Sequence, residues 1–540
     1  MPENLYPLAI ASISFCLLYQ VLWMSPYLIG WDVHDEYFLF ESVKSSGHWI
    51  LGYYDTYNSA LSVTILPAMV QPLLAADDTA IFKTMYPLAF SVVPVIMYLA
   101  YKYVVDSKRA VISAIFLMSY SAYFSEVSFI GKQEIAEVIF ALLILLTLSR
   151  SRAKGYGMSM TMMILIAGLI VSHYSSSYIY LSFLFLSYIL LAGLKRPSVV
   201  PFSFVVLSAL LAFCWYIYTA GGAAFTTLVQ FGDRVYVSVI SEFFNPGTRG
   251  QVVLEFFGIG VRPALVNSID LLVHWSIQVF IVVGVVTLWK RRKSVNGDFL
   301  SYACISLFLL VSSVLLPYFE SGINMSRIYQ IALIFLSPAC VLGGERIFGT
   351  LSQTLSALRP SSWHPNLSNR DRNLVSASCI IIVFLLFNTG VIHEISGAPP
   401  ISISLGLNRM RGSNDPGLVT FLYGTYFPEQ DHTSALWLSK YIPDNEKYIP
   451  DTVCGDRASR LHVLLSYAGI PLEEGGAAVP LMHPGSEPSC TYVYLSYMNA
   501  IEGFGYGPKE RESWSMSEVS NFLNDRNRIY SGGSDILSKT

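Results

Sequence analysis

The sequence predicts a polytopic α-helical membrane protein of about eleven spans, followed by a small extracytoplasmic α/β domain. Three observations carry that prediction. Apolar residues make up 53% of the chain and charged residues only 13%, a balance outside the range of soluble globular proteins. Apolar runs long enough to cross a bilayer recur at about 5–29, 81–101, 110–125, 134–149, 157–173, 177–194, 198–219, 267–289, 298–317, 328–345 and 374–392. Charge is also partitioned: residues 393–540 hold 17 Asp/Glu against 11 Lys/Arg, a net of −6, whereas residues 1–392 hold 20 against 23, a net of +3. The expected division is therefore a transmembrane domain over 1–392 and a soluble domain over 393–540. A total of −3 gives no reason to expect nucleic acid as a partner.

The first run lacks a basic leader and a small-residue cleavage site, so it reads as a retained span rather than a cleaved signal. Basic residues then occupy every second connection: Lys102, Lys108 and Arg109; Arg150, Arg152 and Lys154; Lys195 and Arg196; the run 290–293; and 346–372. Placing these loops in the cytoplasm satisfies the positive-inside rule at five consecutive sites, with the N-terminus inside and the tail outside. The run 61–74 (LSVTILPAMVQPLL) is short and broken by two prolines, so it reads as an interfacial or re-entrant piece of the first outer loop. Residues 220–266, with GG, NPG, Arg234, Arg249 and Arg262, read as a second large outer loop. In the tail, helical patterns at 434–440, 459–467 and 516–523 alternate with strand-like runs at 492–495 and 528–530. Cys454 and Cys490 both fall there; a disulfide and two free thiols are both open readings.

On this topology several polar residues gather at the outer face. Asp32, His34, Asp35 and Glu36 follow the first span, and the run after them alternates aromatic and polar residues as an interfacial helix would. Lys132, Glu134 and Glu137 (GKQEIAE) open the fourth span, and His173 (SHYSSSY) closes the fifth. Glu320, Asn324 and Arg327 (FESGINMSRIYQ) precede the tenth. Charges against a membrane face are costly and usually serve chemistry or ion handling. Acids there can accept a proton or hold a metal, and bases can hold a phosphate. Each residue also has a plainer reading. Asp32 could cap a helix starting near His34, Glu134 and Glu137 could complement a helix dipole, His173 could make one interfacial hydrogen bond, and Arg327 could snorkel. Walker A, HExxH and CxxC motifs are absent, and GFGYG at 503–507 reads as a turn.

The long first span, the outer loop with Asp-Glu-Tyr and the Gly-His-Trp turn resemble the GT-C membrane glycosyltransferases. That superfamily includes protein O-mannosyltransferases, aminoarabinose transferases and oligosaccharyltransferases. Within it the chain is similar to archaeal multi-spanning membrane proteins of unassigned function, through YNSALSVTILP, IFKTMYPLAFSVVPVIMYL, KQEIAEVIF, IVSHYSSSY, SRIYQIALIFLSP and NRIYSGGSDIL. The resemblance implies that Asp35 is the general base, or a metal ligand, for sugar transfer from a polyprenyl phosphate, with Glu134 as a second acid. Asp35 and Glu134 are then the positions for Mg or Mn, whose need the sequence leaves open. Lys132 stands where the archaeal pattern has Arg, which keeps charge and loses a bidentate fork. The WWD signature of oligosaccharyltransferases is missing, which favours a single sugar over a preassembled oligosaccharide.

The expectation is an inverting membrane glycosyltransferase with a polyprenyl-phosphate sugar donor, an extracytoplasmic glycan, lipid or protein acceptor, and membrane lipids around it. Asp35, Glu36 and Glu134 are its candidate catalytic acids. Asp32, His34, Lys132, His173, Arg327 and Glu320 are its candidate substrate-binding residues. A lipid or polysaccharide transporter or flippase with a proton relay is the alternative, and a non-catalytic scaffold for glycan assembly is a third.

Overall fold

The computed structural model describes residues 2–51, 55–150, 156–258, 264–319, 324–356, 369–447, 449, 452–471, 481–486, 488–507 and 512–539. Among these, eight helices are long and apolar enough to cross a membrane, from Glu3–Leu22 to Asp371–Asn388. A ninth span results if Ser107–Leu117 and Ser121–Phe129, bent by 57° at their junction, count as one. The other two expected spans are helices too, with reasons to stand apart. Gly131–Arg150 carries Lys132, Glu134 and Glu137 in its first two turns, and Gly157–Ser172 is shorter than the rest.

Four expectations need correction, the last of them in the tail. The first apolar run overshoots its helix, which ends at Leu22; Tyr27, Leu28 and Ile29 bury their apolar surface against the tail rather than in lipid. Residues 220–266 are not an open loop but contain the helix Ala223–Ser241 and the short helix Gln251–Phe256. The paired glycines read as breakers do turn the chain, with φ of 55° and 81° at Gly221 and Gly222, but they start a helix rather than a loop. Asp32 does not cap its helix. The helix Asp32–Ser46 begins at that residue, and its side chain makes no capping bond. The run 61–74 forms only the helix Ile65–Leu74, as its length and prolines require.

The membrane helices pack closely through small residues. A Cβ on Gly284 would lie 1.8 Å from the Ala339 carbonyl oxygen, and one on Gly343 would lie 1.8 Å from that of Phe280. Helices Leu265–Lys290 and Met325–Ser356 thus cross in backbone contact. At another junction Arg109, one of the basic residues of the second connection, forms a fork on Glu345 with bonds of 2.8 and 2.5 Å.

The tail holds a four-stranded sheet in the order β1-β2-β6-β5, formed by β1 Val453–Cys454, β2 Tyr492–Leu495, β5 Arg526–Ser531 and β6 Asp535–Lys539. β1 and β2 run parallel; the other pairs are antiparallel. Strands β3 Phe504–Tyr506 and β4 Ser513–Ser515 form a separate hairpin pair. The GFGYG run is therefore a strand and not a turn. Gly505 belongs to the ladder because a Cβ there would meet the Trp514 ring at 2.1 Å. Cys454 and Cys490 are disulfide-bonded, which closes the choice left open by their positions.

The tail sits on the segment that leads into Asp32–Ser46. Tyr27 stacks on His432 with ring centroids 3.8 Å apart, Leu28 N–H donates to the Tyr467 hydroxyl at 3.0 Å, and Gly30 N–H to the Thr425 carbonyl at 3.0 Å. One apolar cluster runs without a break from the membrane helices into the tail.

Candidate active site

Asp32–Ser46 packs its acidic face on the N-terminal turn of Gly131–Arg150. Glu36, fully buried, accepts from the Gly131 backbone N–H at 2.8 Å and from the Lys132 ammonium at 2.9 Å. An acid from one helix thus satisfies the free amides that open another. The approach is close, since a Cβ at position 131 would lie 3.0 Å from Glu36 Oε2 and 3.1 Å from the Tyr86 ring, and both side chains would have to give way.

Lys132 is 1% exposed and has no spare side. Its Nζ lies 2.9 Å from Glu36, 3.4 Å from Asp32 Oδ2 and 3.8 Å from the centroid of the Tyr57 ring. Asp32 Oδ2 also meets Arg327 Nη1 at 3.4 Å. Arg327 is 29% exposed, and its Nε has no hydrogen-bond partner among the described residues. Burial works to raise the Asp32 carboxyl, but Lys132 and Arg327 prevail and hold it below the usual range.

Asp35 differs from its neighbours. It is half-buried, and among the described residues its carboxyl takes no hydrogen bond or ion pair. Burial, then the charge of Asp32, push it up to about 8; Lys132 opposes this and Glu36 adds to it. A carboxyl of that proton affinity, flanked by cations that do not neutralise it, is suited to general-base work near neutral pH.

The structure sorts the remaining candidates. His173 precedes the helix Tyr174–Gly193, bonds to Ser176 Oγ at 2.8 Å and lies within electrostatic reach of Lys132, Arg327 and Asp32. His34 turns away into the tail contact, fully buried, with Nδ1 2.7 Å from Ser466 Oγ and its ring beside His462. Glu134 and Glu137 are 1% exposed, inside the bundle; Glu137 accepts from Gln133 at 2.9 Å, and the charged neighbours of Glu134 are Glu36 and Glu137 rather than Asp35. Glu320 lies outside the described residues. Of the arginines in 220–266, Arg249 is tied to the Phe243 carbonyl at 2.7 Å. Tyr57, which floors the Lys132 site, opens the YNSALSVTILP stretch that carried the resemblance but was not singled out as a site residue.

The donor set does not suit a metal. Among the described residues no group of three or more His, Cys, Asp or Glu side chains is placed to hold an ion. Asp32 and Glu36, the acids nearest Asp35, are already bound to cations, and Glu134 faces elsewhere.

The fold is that of the GT-C membrane glycosyltransferases. The chain resembles the apo oligosaccharyltransferase of Archaeoglobus fulgidus with a TM-score of 0.54 at 13% identity, covering 92% of this chain and 70% of that one. The same enzyme tethered to an acceptor peptide containing an NVT sequon gives 0.53 at 13%, covering 99% and 74%. ArnT from Cupriavidus metallidurans bound to undecaprenyl phosphate gives 0.50 at 11%, covering 99% and 97%. At such identities the likeness is one of fold. The chain belongs to the family described as "Predicted membrane protein (DUF2206)", which matches residues 159–537. That match includes His173, Arg327 and the tail; Asp32, Asp35, Glu36 and Lys132 precede it. No curated protein matches.

Proposed function

We propose that this protein is an inverting membrane glycosyltransferase that moves one sugar from a polyprenyl-phosphate donor to an extracytoplasmic glycan, lipid or protein acceptor. The observation that carries the reading is Asp35: a carboxyl unpaired among the described residues, pushed up to about 8, beside an acid–cation cluster that ends in the part-exposed Arg327. The fold supports it, since one structure of the same fold holds undecaprenyl phosphate and another an acceptor peptide. In the proposed step Asp35 takes the proton of the acceptor hydroxyl while that oxygen attacks the anomeric carbon. The bond from that carbon to the phosphate oxygen breaks, and Arg327 stabilises the departing polyprenyl phosphate. Lys132 acts from behind, because its donors are committed to Glu36 and Asp32. His173 and Tyr57 complete the wall.

In this reading residues 1–392 form the catalytic membrane domain and 393–540 an extracytoplasmic domain, with the N-terminus in the cytoplasm. The Cys454–Cys490 disulfide suits an oxidising compartment. A proton-relay transporter would place ionisable groups at mid-span, whereas Glu134 and Glu137 occupy the first two turns of their helix.

Asp35→Asn nearly preserves shape but cannot accept a proton. Transfer of labelled sugar from polyprenyl phosphate in liposomes is expected to fall by about two to four orders of magnitude, with donor binding unchanged. A variant that turns over like the parent removes Asp35 as base and moves the transporter and scaffold readings ahead.

A further inference from the structure

The acids that look like metal ligands in this sequence are arranged around an internal ammonium. We propose that the site works without a divalent cation and that Lys132 fills the place between Asp32 and Glu36 that such an ion would take. For its activity test this rests on the glycosyltransferase reading; its binding test does not.

The argument is one of oxygen atoms and charge. Glu36 gives one oxygen to the Gly131 amide at 2.8 Å and the other to Lys132 at 2.9 Å. Asp32 Oδ2 is shared between Lys132 and Arg327, each at 3.4 Å. Among the described residues Asp35 keeps both its oxygens and Asp32 its Oδ1 without a partner, but that Oδ1 belongs to a carboxylate whose charge Lys132 and Arg327 already balance. Charge points the same way. Three acids, Asp32, Asp35 and Glu36, face two cations, Lys132 and Arg327. The cluster is neutral when Asp35 is protonated and carries −1 when Asp35 is ionised, and a dication would leave a surplus of positive charge in a buried place. The face of the Tyr57 ring, 3.8 Å from Nζ, attracts an ammonium and presents no lone pair to a hard metal in that place. Lys132 is a positioning residue here: it holds Asp32 and Glu36 together, while Asp35 has no partner among the described residues and Arg327 keeps its Nε unpaired there.

The test uses purified full-length protein washed with EDTA. Mn²⁺ titrated into the parent and followed by electron paramagnetic resonance is expected to remain free. In Lys132→Ala, two carboxylates lose their ammonium, and Mn²⁺ is expected to bind; Asp32→Asn added to that variant removes the binding again. One equivalent of Mn²⁺ bound by the parent and lost in Asp32→Asn overturns the proposal, and this arm stands even if Lys132→Ala fails to fold. For activity, the parent is expected to transfer sugar equally with EDTA or with Mg²⁺. Lys132→Ala should lose roughly two orders of magnitude and regain part of the loss with added ethylamine. Transfer that needs Mg²⁺ or Mn²⁺ overturns the proposal. No transfer under any condition, with Mn²⁺ still excluded from the parent, counts against the glycosyltransferase reading and leaves the cation assignment standing.

Discussion

Arg327 and Lys132 both press on Asp32, and only Arg327 keeps a side open. That asymmetry comes from depth: 1% exposure for the lysine and 29% for the arginine. Arg327→Ala should therefore weaken binding of the polyprenyl-phosphate donor by about ten- to a hundredfold, the usual worth of a hydrogen bond to a charged group. Arg327→Lys should keep part of it, having charge without the fork. Equal donor affinity in all three proteins would reduce Arg327 to a snorkelling side chain. At Asp35 the pH dependence has a defined sign. Its folded carboxyl is held up at about 8, so the proton-accepting form is present above that pH. Transfer should rise about tenfold per unit up to roughly pH 8 and level off beyond it. A profile flat from pH 6 to 9 would contradict the assignment.

The helix crossing at Gly284 is the element on which the second half of the bundle depends. Backbone contact between Leu265–Lys290 and Met325–Ser356 leaves no room for a methyl group, because the obstacle is the Ala339 carbonyl rather than a movable side chain. Gly284→Ala should thus force the helices apart and cost about 1–3 kcal/mol or more, read as a lower thermal midpoint in detergent. Gly157→Ala, where a Cβ meets nothing within 4 Å, is the control and should not destabilise. The helices themselves were legible from hydropathy. Their crossing was not, since a glycine in an apolar run looks the same whether it faces lipid or a neighbouring backbone. The helix Ala223–Ser241 was missed because Gly221 and Gly222 punctuate the chain locally and are equally compatible with a helix or a loop beyond them.

Across the molecule, the helix Asp32–Ser46 and the tail meet at three buried histidines, His34, His432 and His462. Burial first, with help from the neighbouring imidazoles, holds His34 well below the usual range; burial also brings His432 to about 4 and His462 to about 3. Lys83 faces His432, and Arg457 and Asp32 face His462. An undocked tail would bind protons near pH 6.5. Docking is then at full strength above that pH and weakens as pH falls toward 3–4. Hydrogen exchange around Tyr27 and Tyr467 should report opening on acidification, and His462→Gln should flatten the response. Protection that does not change with pH would refute it. Orientation is tested by labelling single cysteines at Ser294 and Ser520, both exposed, in a background without Cys16, Cys214, Cys304, Cys340 and Cys379. The two are expected to react from opposite sides of the membrane, and reaction from one side would refute the proposed topology.

Membrane class and the positions of most of the long apolar helices came from the amino-acid sequence by itself, because hydropathy is a local property that sums over a window. The charges that flank the spans were also visible as residues. Which of them meet was decided only in three dimensions: Asp32 joins Lys132 across 100 positions and Arg327 across 295, and no spacing encodes such pairs. The same holds for His34, whose partner Ser466 is 432 positions away, and for Tyr57 beneath Lys132. Burial made the final distinction. It spends Glu36 and Lys132 on each other and leaves Asp35 as the carboxyl with a proton still to accept, a difference that depends on how much water each group loses on packing.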